Sequence, residues 1–106
     1  MMILARINGT PVFGFAEAVA QGDGSVNRKG MVALRPPDAM VLQSIIERQE
    51  PLVYSGPVWV NDAWRPESFP ITATLVRGAR ELPASISIAQ CGESTPALLS
   101  AGDAAA

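Results

Sequence analysis

Apolar residues in this chain keep a period of two over short runs, and proline, glycine or Asn-Gly cuts each run before it can lengthen. That pattern dictates short, half-buried strands joined by tight connections. Ile3, Ala5 and Ile7 alternate with Leu4 and Arg6, and Asn8-Gly9 then supplies the positive φ of a hairpin turn. Val12 to Ala20 resumes with Phe13, Phe15 and Val19 on one face, Glu17 among them. Gln21 to Gly30 reads as a mobile loop with Arg28 and Lys29 as solvated charges at its tip, followed by a short strand at Met31–Leu34. Ile71–Val76 and Ser85–Ile88 alternate cleanly and predict a hairpin with a wide loop between them.

One segment has the other period. Between Pro37 and Pro51, Leu42, Ile45 and Ile46 recur at helical spacing opposite Gln43, Ser44, Glu47 and Arg48. Asp38 suits the N-cap or first turn, so the expected helix runs over residues 38–49, a rod on the order of 18 Å. Leu52–Tyr54 and Val58–Val60 read as two runs separated by a turn or kinked edge at Ser55-Gly56-Pro57. Arg65 to Pro70 reads as irregular, because Pro66 and Pro70 donate nothing to a ladder.

The expectation is an α+β, mostly antiparallel fold. Six or seven short strands form a small closed or partly open barrel or sandwich, with the one helix over a face or end. Residues 1–90 make one globular domain. Residues 91–106, with only Leu98 and Leu99 to anchor them, make an extended C-terminal arm.

Composition removes most chemistry. The 106 residues include no histidine, one cysteine (Cys91) and one lysine (Lys29). Without an imidazole there is no Ser-His-Asp or Cys-His nucleophile, and without several Cys or His ligands there is no zinc site. A Ser25–Lys29 dyad would lack the desolvation that lowers a lysine pKa. Asp23-x-Ser25-x-Asn27 opens like a calcium loop but has Arg28 where glycine belongs and Leu34 where glutamate belongs. Gly22-x-Gly24 meets Asn27 in place of a third glycine, and Lys29 stands outside any phosphate-loop motif. Paired carboxylates among Glu17, Asp62, Glu67 and Glu81 are the one enzymatic route left, and charges at turns and edges more often serve solubility. No catalytic, cofactor-binding or metal residue is therefore assigned, and no cofactor is expected.

Charge speaks to partners. Over residues 1–90 eight basic side chains meet eight acids, so the formal −2 comes from Glu93 and Asp103. A neutral body gains little from counterion release, which argues against nucleic acid. Charged residues amount to only 17%, weak protection against self-association. No apolar run approaches the roughly 20 residues of a membrane span, and Arg6 and Asn8-Gly9 break the apolar start. A soluble protein, cytoplasmic at synthesis, is expected.

Phe13, Phe15, Tyr54 and Trp59 fall in strand-like runs and read as core. Trp64 and Phe69 flank the irregular stretch and either plug a barrel end or reach a partner. The expected contact residues are Arg28, Lys29, Trp64, Phe69, Leu98 and Leu99. The leading function is a non-enzymatic subunit of a larger assembly, in contact with other protein subunits as a homo-oligomer or hetero-assembly. The alternative is a small protein- or ligand-binding regulatory module. In its style of composition the chain resembles small structural proteins of tailed-phage particles. That resemblance implies a virion component, a head, neck or tail accessory protein.

Overall fold

The computed structural model describes residues 3–76 and 84–96. Seven strands and one helix follow in the order β1 (Leu4–Ile7), β2 (Thr10–Ala20), β3 (Val26–Leu34), α1 (Pro36–Glu47), β4 (Leu52–Val60), β5 (Ala63–Val76), β6 (Ala84–Gln90) and β7 (Thr95–Pro96). The sheet order is β1-β4-β2-β3-β6-β5-β7, and the additional pairings β1–β2 and β4–β5 close it into a ring. Every pairing is antiparallel except a short parallel contact of β2 with β4, where Ala16 meets Val58 and Glu17 meets Trp59. The architecture is the mostly antiparallel, closing β fold with one helix that the sequence pattern predicts.

Two-residue turns set two of the hairpins. Asn8 and Gly9 have φ of 51° and 81°, and Asn61 and Asp62 have 48° and 62°. Positive φ at both central positions is what a turn must supply to match the twist of its strands. Asn8 also ties the helix exit to the first hairpin: its amide donates to Pro51 O at 2.8 Å, and its Oδ1 accepts from Val53 N at 2.8 Å.

The inward row holds the core: Val12 and Ala16 of β2, Val32 and Leu34 of β3, Tyr54 and Val58 of β4, Phe69 and Ile71 of β5, and Ile86 and Ile88 of β6. Leu42 of α1 is buried with them, and Ile45 and Ile46 pack against the cluster part-buried. The helix joins the end of β3 to the start of β4 and therefore lies at that end of the ring. Glycine is required where backbones cross closely: a Cβ on Gly56 would lie 2.7 Å from that of Ala5, and one on Gly30 would strike the carbonyl of Phe15.

Several boundaries differ from the sequence reading. The helix starts at Pro36 and ends at Glu47, with Asp38 in its first turn 3.6 Å from Arg35 Nε. Gln49 ends it, at φ 56°, with Gln49 N donating to Ile46 O and Glu50 N to Ile45 O. β4 is one continuous strand through Ser55-Gly56-Pro57, and β5 runs unbroken through Pro66 and Pro70. Pro70 is tolerated because its carbonyl points away from β4, accepting from Cys91 N, and its donorless nitrogen faces the same way. Pro66, four residues earlier, shares that parity.

The loop after β2 shrinks to Gln21–Ser25, because β3 begins at Val26. The Ser25 amide and hydroxyl both donate to Asp23 Oδ1, at 2.9 and 2.6 Å. Arg28 and Lys29 thus lie within a strand, not at a loop tip. The first residues of the expected arm continue along β5: Thr95 pairs with Ser68 and Pro96 with Glu67. Leu98, Leu99 and the loop over 77–83 lie outside the described residues.

Candidate interaction surface

Strand alternation sends the bulky residues of β2 outward. Val12 and Ala16 face the ring interior, so Phe13, Phe15, Glu17 and Val19 share the outer face. Apolar residues occupy both faces of this strand, and the interior is already filled by Tyr54 and Phe69, whose rings lie 5.1 Å apart. Only small side chains fit opposite them. Phe13, Phe15 and Trp59 are consequently not core, contrary to the pattern reading, whereas Tyr54 is.

The displaced aromatics gather outside. Trp59 and Trp64 are register partners across the β4–β5 hairpin, with ring centroids 4.9 Å apart. Phe15 meets Trp64 edge-to-face, also at 4.9 Å. Trp64 remains 47% exposed, and Met31, the cross-strand partner of Phe15, 59%. Beside the cluster, β2, β3 and β6 form a shallow groove of about 480 Å³ lined by Phe15, Glu17, Lys29, Met31, Ser87 and Ala89. Glu17 and Lys29 sit opposite each other in register, and neither side chain makes a hydrogen bond or ion pair among the described residues. A solvated aromatic ridge next to an apolar groove with one charge of each sign is the composition of a binding surface.

Two of the expected contact residues, Lys29 and Trp64, lie on this face, one lining the groove and the other in the aromatic cluster. Two others do not. Phe69 is 1% exposed, in the core against Tyr54, so its ring reaches no partner while the fold is intact. Arg28 points into the ring, because Val32, Gly30 and Arg28 share the inward parity of β3. Its Nε and Nη2 both donate to the carboxylate of Glu67, the second at 3.2 Å, and its backbone N and Nη1 donate to Gln90 Oε1 at 3.0 and 3.3 Å. Gln90 in turn donates to Gly92 O at 2.7 Å. This polar group lines the end of the ring away from the helix: six residues separate Arg28 from Leu34, about 20 Å of strand. Pattern reading missed it because Gly30 and the charges around it resemble a loop. Carrying the alternation of Val32 and Leu34 backwards would have placed Arg28 inside.

The carboxylates do not converge. Glu17 is on the outer face, Glu67 is bound to Arg28 on the inner face, Asp62 is in a turn, and Glu81 lies outside the described residues. Among the described residues there is no cluster of three or more His, Cys, Asp or Glu that could hold a metal ion, and no helix long and apolar enough to cross a membrane. No protein-family model, curated protein or solved structure matches the chain.

Proposed function

We propose that this chain is a non-enzymatic structural subunit of a protein assembly, which it joins through the outer face carrying Phe15, Trp59 and Trp64. The observation behind this reading is the aromatic cluster itself. Three large rings gather on the outer face of the sheet, Trp64 exposed and Phe15 and Trp59 half-buried, while the ring interior is closed by side-chain packing and the Arg28–Glu67 pair. Aromatic side chains of this kind anchor protein interfaces, and leaving them wet costs a monomer solubility without return. The sparse charge of the chain points the same way. A small component of a tailed-phage particle is the specific form suggested by its composition.

The test is made in the native source. The chain is expected in a high-mass particle at a fixed stoichiometry to other subunits, and Trp64→Ala is expected to reduce its incorporation while leaving the fold intact. A chain that fractionates as a free monomer there refutes the reading. The shallow groove beside the cluster favours a second reading, a module that binds a small apolar or peptide ligand. Under that reading the free monomer would quench or shift tryptophan fluorescence on ligand addition.

A further inference from the structure

The outer face is self-complementary, and we propose that its occupant is a second copy of this chain, packed face to face about a twofold axis that runs between β2 and β3. This deepens the subunit reading above by naming the partner of the same surface. An axis lying in the contact plane, parallel to these strands, lays β2 of one copy over β3 of the other. The register then decides what meets. Glu17 and Lys29 are cross-strand partners, so each Glu17 comes over the second copy's Lys29, and each Lys29 over the second copy's Glu17. Phe15 and Met31 are partners in the same ladder, so each ring comes over a thioether, a favourable sulfur–aromatic contact.

The flanking strands follow the same rule. β4 neighbours β2 at Trp59, and β6 neighbours β3 at Ser87 and Ala89. The rotation therefore turns the tryptophan side of one copy toward the side of the other that carries the small Ser87 and Ala89. Acid meets base and ring meets thioether, each twice, which is the signature of an isologous contact. Charge complementarity explains why one unpaired charge of each sign is kept amid apolar residues.

Sedimentation equilibrium and light scattering on the full chain test this with charge reversals. Both side chains are exposed, so Glu17→Lys and Lys29→Glu leave the core untouched, which circular dichroism checks. The wild type is expected to dimerise. Each single reversal sets like charges together twice and is expected to weaken the dimer by at least about 100-fold. An equimolar mixture of the two single variants is expected to form a 1:1 heterodimer, and the double reversal to restore the homodimer. A wild type monomeric at submillimolar concentration overturns the proposal, as does a dimer indifferent to both reversals. Either result leaves the subunit reading to its own test, since a chain monomeric alone can still be stoichiometric in a particle with other subunits.

Discussion

Removing the guanidinium of Arg28 strands a carboxylate inside the ring. The side chains of Arg28 and Glu67 are 16% and 13% exposed, and the pair is bidentate. With Arg28→Leu, Glu67 loses both charge-assisted donors and keeps little access to water. Breaking a buried pair from one side costs about 3–5 kcal/mol. The pair sits at the ring end, where some water enters, so the lower figure applies: about 3 kcal/mol, or roughly 12–24 °C in Tm for a domain of this size. The double variant Arg28→Leu/Glu67→Leu strands nothing. It is expected within about 1 kcal/mol of the wild type, because buried pairs barely repay their desolvation. Urea unfolding of the wild type, both single variants and the double variant gives the coupling energy directly. An Arg28→Leu protein within about 0.5 kcal/mol of the wild type would show that Glu67 is solvated when alone, and would refute the assignment of the pair to the ring interior.

Leu42→Ala removes the one fully buried helix side chain and is expected to cost about 3 kcal/mol by chemical denaturation, and the part-buried Ile45→Ala clearly less. Gln49→Gly relieves a non-glycine residue at φ 56° and is expected to stabilise by about 0.5–1 kcal/mol, whereas a loss would mean that the Gln49 side chain carries the helix end. Burial holds the Tyr54 phenol above its ordinary value of 10.0. Its contribution to stability is therefore complete below that pH and lost as pH rises beyond it. Because the chain has a single tyrosine, absorbance at 295 nm should show no ionisation until alkaline unfolding, and a reversible titration near the ordinary value in folded protein would contradict its burial. The hydrogen bond from the Ser25 hydroxyl, then that from its amide, holds the Asp23 carboxyl below its ordinary value. The turn it closes should persist above the ordinary carboxylate pKa and open as pH falls through the lowered one, read by NMR from the Ser25 amide shift.

The residues themselves determine the elements. Ile71–Val76 and Ser85–Ile88 alternate because a sheet with one wet face requires it, and β5 and β6 pair across those runs. Asn8-Gly9 and Asn61-Asp62 make tight turns from their own backbone preferences. The stripe of Leu42, Ile45 and Ile46 between two prolines is a helix in any context that covers one face. The absence of histidine is likewise a property of the sequence alone, and it excludes imidazole chemistry before any fold is known.

Only tertiary structure decided which face of β2 is inside. Both of its faces are apolar, so period two cannot choose. The choice fell to volume: Tyr54 and Phe69 fill the narrow ring, Val12 and Ala16 fit beside them, and Phe15 is forced out beside Trp59 and Trp64. The same closure carried a strand through Pro66 and Pro70 by turning their missing donors away from β4. It also drew Arg28 inward to Glu67, 39 residues distant in sequence. Local propensity acts over a few neighbours, whereas the sidedness of a closed sheet is set by what must fit across its interior. That is why the aromatic outer face belongs to the ring and not to any one of its strands.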